Sequence, residues 1–165
     1  MSTTKKIVNY LKSLKIKYRE IPHKTVYTAF DKAKTLKTPL KNIGKNLIMK
    51  IDKELALVLV PANKNLDLGK LKKTINAWRK KTNQKAIKNI SFIKEALIKK
   101  NLKGVKVGAI PPFGDLWKLP SFIDKSLTKA KEIIISAGDY NISLGIKKGD
   151  LKKLNFISGI FSKPR

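Results

Sequence analysis

Apolar residues recur at helical spacing at Ile7, Val8, Leu11 and Leu14 behind Thr3 and Thr4, predicting an amphipathic helix over 4–14 with a threonine at its start. Lys17 to Ile21 extends up to Pro22, whose ring keeps the preceding residue out of helical geometry, and predicts a strand. Thr28 opens a short helix through Leu36, ended near Pro39. Two β-rich apolar runs follow, Ile43–Ile51 and Leu55–Val60; the short Asp52-Lys53-Glu54 link between them predicts a hairpin in the middle of a sheet. Asp67 is placed to cap a helix over 68–77 and Ser91 one over 92–100, with a polar, weakly patterned stretch between. Further strands are predicted at Val105–Ile110, Glu132–Ala137 and Ile142–Lys147, then a short helix near Asp150–Leu154 and a last apolar segment, Phe156–Phe161.

Helices and strands mix here without βαβ alternation, so the expected class is α+β: a mixed, partly closed, barrel-like sheet with helices around it. A chain of 165 residues, 42% hydrophobic, buries one core, and no linker or low-complexity tract divides it. A single domain over 1–165 is therefore expected. The longest apolar stretch, Leu55 to Ala62, is far below membrane-spanning length, so a soluble cytoplasmic protein with no membrane partner is expected.

Charge changes the picture. Lys and Arg number 38 against 11 Asp and Glu, a formal net charge of +27, and such a surface attracts polyanions, nucleic acid first among them. Only Arg19, Arg79 and Arg165 are arginines, which leaves 35 lysines (38 − 3). A genome biased toward lysine writes the same surface, so charge alone does not say which nucleic acid is meant. The two tryptophans and four tyrosines are dispersed rather than clustered as stacking platforms, which favours recognition of a backbone and a 3′ end.

The absence of cysteine excludes disulfides, thiolate zinc sites and a cysteine nucleophile, and the one histidine, His23, leaves neither a metal site nor a nucleophilic triad well supported. No metal and no cofactor are expected. Two local features carry chemistry instead. Gly108-Ala109-Ile110-Pro111-Pro112-Phe113-Gly114 turns through two fixed-φ prolines, and backbone amides near Gly108 suit a carbonyl oxygen or a phosphate. Lys45 stands in a predicted strand on the parity of Ile43, Leu47 and Met49, where a charged group calls for a pocket or a polyanion unless it snorkels to solvent.

His23, Thr28 and Ala29, then Gly44-Lys45-Asn46-Leu47, then the Gly-x-x-x-Pro loop of Gly108 to Pro112 with Phe113-Gly114, occur in the order and approximate spacing of a known family. Leu66-Asp67-Leu68, Leu119-Pro120 with Ile123-Asp124, Ser136-Ala137-Gly138 and Gly149-Asp150-Leu151 extend the match over about residues 18–155. The chain resembles the YbaK-like editing family, which includes the insertion domain of bacterial prolyl-tRNA synthetases. That resemblance implies hydrolysis of the ester joining a mischarged amino acid to the 3′-terminal adenosine of tRNA, without a metal, with a substrate ribose hydroxyl helping to activate water.

By the same resemblance Lys45 binds near the terminal phosphate or the amino group, and Gly108, Ala109 and Ile110 present amides to the aminoacyl carbonyl. Substrate contacts are expected from His23, Tyr27, Thr28, Asn46, Pro111, Pro112, Phe113, Gly114 and Ser143. The Lys45-Asn46 pair looks like relatives that remove alanine, whereas Ser143 stands where relatives that remove cysteine carry an aspartate. Alanyl- or cysteinyl-tRNA of the proline acceptor type, edited in trans beside prolyl-tRNA synthetase, is the implied substrate. Two other readings stay open: a non-catalytic RNA-binding module of the same fold, and a protein acting on another acyl ester. His23 as a strand-end residue, Thr28 as a helix cap and Phe113 as a core aromatic are the structural alternatives.

Overall fold

The computed structural model describes residues 3–102 and 106–165. The elements run α1 (Thr3–Ser13), β1 (Arg19–Pro22), α2 (Ala29–Leu36), β2 (Gly44–Ile51), β3 (Glu54–Pro61), β4 (Lys64–Leu66), α3 (Leu68–Lys81), β5 (Ile90–Phe92), α4 (Glu95–Asn101), β6 (Ser121–Asp124), β7 (Glu132–Ser136), β8 (Ile142–Lys147), α5 (Lys148–Leu151), β9 (Ile157–Gly159) and β10 (Ser162–Pro164). This is a mixed α+β architecture.

β2 and β3 form the hairpin, in register from Gly44 opposite Pro61 to Ile51 opposite Glu54. Asp52 makes the turn with φ of 56°, and its carboxylate accepts the Lys88 and Asn89 N–H groups (3.1 and 2.8 Å), pinning the segment before β5 to the hairpin tip. The strand order β5-β2-β3-β6-β9 mixes antiparallel pairs around β2 with parallel pairs at β3–β6 and β6–β9. A second sheet, β1-β8-β7, is antiparallel, and the two meet at the Ile43–Ile134 bridge. β5 and β9 remain edges, so barrel-like closure is not completed.

Ala56 to Val60 are each at most 1% exposed because β3 is covered on both faces. On one side Val58 and Val60, with Met49 and Ile51 of β2, pack against Leu71 and Ile75 of α3. On the other, Leu59 joins Ile123, the small-sheet residues Ile133, Ile135, Leu144 and Ile146, and Ile7 and Leu11 of α1. Leu57 and Ile48 on that same side meet Ile98, Leu102 and Ile110.

Asp124, at the end of β6, ties the C-terminal segment down. Its buried carboxylate accepts the Phe161 N–H (2.8 Å), the Ser162 N–H and hydroxyl (3.0 and 2.8 Å) and the Ser126 N–H and hydroxyl. Burial alone would raise its pKa, but these donors outweigh burial and hold it below the usual carboxylate range.

Some sequence expectations need correction. Ser91 caps no helix: Ile90–Phe92 pairs antiparallel with β2 as an edge strand, and α4 begins later, at Glu95, behind Lys94 with no side-chain cap. Local helical spacing there yielded to the unpaired edge of β2. Residues 106–110 form a turn rather than a strand, and Val105, where that strand was expected to begin, lies outside the described residues. The side chains of Thr3 and Thr4 also lie outside them. α3 runs one turn past Ala77, anchored by Arg79, which donates to Glu54 (3.1 Å) and to the Lys85 carbonyl (3.1 Å). β4, β6 and β10 are too short for periodicity to reveal.

Replacing Asp124 with Ala leaves several donors without an acceptor and should cost about 3 kcal/mol of stability by urea denaturation at pH 7. The native carboxyl titrates below its unfolded value, so its contribution is present above about pH 4 and is lost as pH falls through the folded pKa. The wild-type and Asp124→Ala denaturation midpoints should accordingly converge below that pH.

Candidate functional site

Gly108 starts the glycine-proline loop with φ of +87°, its backbone against the Tyr27 carbonyl, where an added Cβ would lie 3.2 Å from that oxygen. Ala109 closes a turn through its N–H to Lys106 O (2.9 Å) and accepts from the Gly138 N–H (2.9 Å), which joins the loop to the end of β7. Gly108 is exposed, whereas Ala109 to Gly114 are buried. At the far end the Gly114 N–H donates to Ser121 Oγ (2.7 Å), and a Cβ there would sit 2.2 Å from Leu119 O, so only glycine fits.

Asn46 grips this loop from β2. Its Nδ2 donates to the carbonyls of Ile110 (3.1 Å) and Pro111 (3.3 Å), and its buried Oδ1 has no partner among the described residues. The Gly108 and Ile110 N–H groups make no hydrogen bond with the described residues. Among the described residues, the loop thus offers donors without acceptors, held by a side chain whose buried acceptor has no donor.

A polar row runs along one face of β1-β8-β7. His23 follows β1; its Nδ1 lies 2.7 Å from the Lys24 carbonyl and donates to it, and in the neutral ring Nε2 accepts from the Ser143 hydroxyl at 2.9 Å. Ser143 is fully buried and pairs across the ladder with Ser136, whose Oγ accepts from Lys32 Nζ at 3.2 Å. Lys32, on α2, is only 8% exposed and has no carboxylate partner among the described residues; burial pushes its pKa down to about 8. Sequence reasoning missed it. It shares the inward stripe of α2 with Ala29, Ala33 and Leu36, a signal hidden among 35 lysines.

Strand alternation separates Lys45 from its neighbour. Asn46 and Ile48 face the loop, while Lys45 shares the opposite face with Leu47. There it lines a groove with Asp67 and Gly69 at the start of α3, with Lys163 of β10, and with the exposed ring of Phe92. Burial, then the nearby Arg165 guanidinium, hold the Lys45 pKa below that of a free lysine. The structure thus groups Asn46 with Gly108 to Gly114, groups His23 with Ser143, and sets Lys45 in a groove of its own.

Among the remaining expected residues, Thr28 is the N-cap of α2, its hydroxyl accepting the Asp31 N–H at 3.1 Å. Tyr27 is exposed and stacks edge-on against Tyr140 at 4.8 Å, and the Tyr140 hydroxyl donates to Val107 O. Pro111, Pro112 and Phe113 are buried, Phe113 against the Tyr10 ring at 5.4 Å. Among the described residues no three His, Cys, Asp or Glu side chains gather as a metal-binding group, and no helix is long and apolar enough to cross a membrane.

A mixed α+β fold carries the glycine-proline loop, held by Asn46 of β2, with no described residue bonding its Gly108 and Ile110 N–H groups. The aminoacyl-tRNA editing domain matches residues 23–154, most of the chain, and the chain belongs to that family. Solved structures share the fold. The hypothetical protein APE2540 superposes with a TM-score of 0.78 at 17% identity, over 96% of this chain and 99% of the other. A protein described as a candidate trans-editing enzyme for prolyl-tRNA synthetase gives 0.77 at 20% identity, over 99% and 98%. A scaffold used for epitope backbone grafting gives 0.73 at 20%, over 100% and 99%. A search of curated proteins finds no match.

An unpaired buried ammonium is costly, so Lys32→Met should raise stability at pH 7 by about 2 kcal/mol in chemical denaturation. The native group loses its proton near pH 8 and the unfolded one near 10.5, so wild-type stability should rise between those values and the advantage of the variant should shrink. Gly114→Ala, by contrast, should cost about 3 kcal/mol or more by the same measurement, since the clash is with backbone rather than with a yielding side chain.

Proposed function

We propose that the protein is a trans-editing deacylase that frees a mischarged amino acid from the 3′-terminal adenosine of tRNA in the cytoplasm, with alanyl- or cysteinyl-tRNA of the proline type as substrate. The observation that carries the reading is the loop's Ile110 and Gly108 N–H donors, unused by any described residue, together with the buried Asn46 Oδ1 of β2, which likewise has no partner among the described residues. The donors suit the carbonyl oxygen, on which negative charge develops as water adds to the carbonyl carbon; Asn46 Oδ1 suits the protonated α-amino group. The bond from that carbon to the ribose oxygen then breaks, the ribose oxygen takes a proton, and the free amino acid and intact tRNA leave.

An activated ester needs less assistance than an amide, so positioning and carbonyl polarisation supply the rate without a protein nucleophile or a metal. Lys45 contributes a cation for the terminal phosphate, and the Phe92 ring in its groove offers a face for a base. Ser143, buried and bound to the half-buried His23, is not assigned the attack on the ester.

Deacylation of alanyl-, cysteinyl-, seryl- and threonyl-tRNA carrying the proline acceptor stem tests this in the presence of EDTA. One member should be hydrolysed rapidly, with Asn46→Ala lowering the rate by about a hundredfold, the scale of losing one charge-stabilising contact, and Lys45→Ala weakening the binding of tRNA. No turnover of any member, with salt-sensitive tRNA binding equal in wild type and Lys45→Ala, would sink the reading in favour of a non-catalytic RNA-binding module.

A further inference from the structure

We propose that a second basic groove, remote from the glycine-proline loop, binds consecutive phosphates of the RNA backbone. It is a cavity of about 610 Å³ lined by Arg19 of β1, Lys41 of the turn before β2, Lys64 of β4, and Lys129 and Lys131 before β7, with Glu132 the one acid. Glu132 is already engaged, bound to Arg19 at 2.7 Å. The four lysines have no acidic partner among the described residues. Unpaired lysines are plentiful on a chain of charge +27, so their number alone argues nothing. What distinguishes this place is convergence: cations from segments more than a hundred residues apart in sequence surround one concavity. Their mutual repulsion favours an anion that spans them.

The groove's position fits a polymer whose end lies elsewhere. Arg19 and Glu132 occupy the same face of β1-β8-β7 as Ser143 and Ser136, toward the opposite strand ends. From Glu132 to Ser136 is about 13 Å along the strand. Ile21, Ile134, Ala33 and Ile43 fill the middle of that face beneath α2, so the groove and the loop are separate sites. A single free anion would need neither five cations nor this separation from the loop. The inference rests on the editing reading only for the identity of the RNA.

The test compares two triple variants of equal charge on the intact protein. Lys41→Gln/Lys129→Gln/Lys131→Gln removes exposed groove lysines; Lys12→Gln/Lys99→Gln/Lys100→Gln removes exposed lysines of α1 and α4. Binding of uncharged proline tRNA is followed by fluorescence anisotropy between 50 and 200 mM salt. The groove triple should lose about tenfold or more in affinity and show a salt slope smaller by about two, as expected when two or three phosphate contacts vanish, while the other triple changes little. In deacylation it should raise KM and spare kcat. Equal weakening by both triples would overturn the proposal, as would a loss confined to vesicles containing phosphatidylglycerol. Uncharged tRNA binding requires no hydrolysis, so failure of the editing reading and failure of this one are distinguishable.

Discussion

The architecture depends on the burial of β3 on both faces. A strand whose every side chain from Ala56 to Val60 is withdrawn from water needs one layer above it and another below, and α3 and the α1–small-sheet assembly supply them. β2, locked to β3 along its whole length, inherits the same two faces. Two adjacent polar residues at its start are then sent to opposite sides of the sheet. Asn46 becomes the clamp of the glycine-proline loop and Lys45 the cation of a separate groove.

With 38 cations and 11 acids, most positive charge has no partner to neutralise it, and four of the acids share one use. Asp52, Asp67, Asp124 and Asp150 each accept backbone N–H groups: at the hairpin tip, at the start of α3, at the C-terminal segment and at Lys17. Each is held below the usual carboxylate range mainly by such donors or, at Asp150, first by Lys153. These carboxylates thus tie segments of the chain together, and most lysines are left without an acid to pair with.

The polar row stands apart from this economy. Lys32, Ser136, Ser143 and His23 occupy ground that apolar side chains would fill more favourably, and Lys32 has no compensating anion among the described residues. A conflict between local stability and the retained residue is characteristic of functional sites. Here it lies on one face of β1-β8-β7.

Much of this was legible in the residues themselves. The hairpin, α1, the Thr28 and Asp67 caps, β7 and β8 follow from periodicity and capping chemistry, which are local. The Gly-x-x-x-Pro loop, with the lysine and asparagine of β2, pointed to the editing family by order and spacing. Other features required tertiary contacts: β5 formed because the edge of β2 was open, and the short strands β4 and β10 formed against each other, β10 beside the segment pinned by Asp124. Which of Lys45 and Asn46 meets the loop, which of 35 lysines is buried, and which five cations surround a groove are settled only when segments distant in sequence pack together. Period and capping extend over a few residues, whereas a side chain's solvent, dielectric and partners are set by whatever the fold brings beside it.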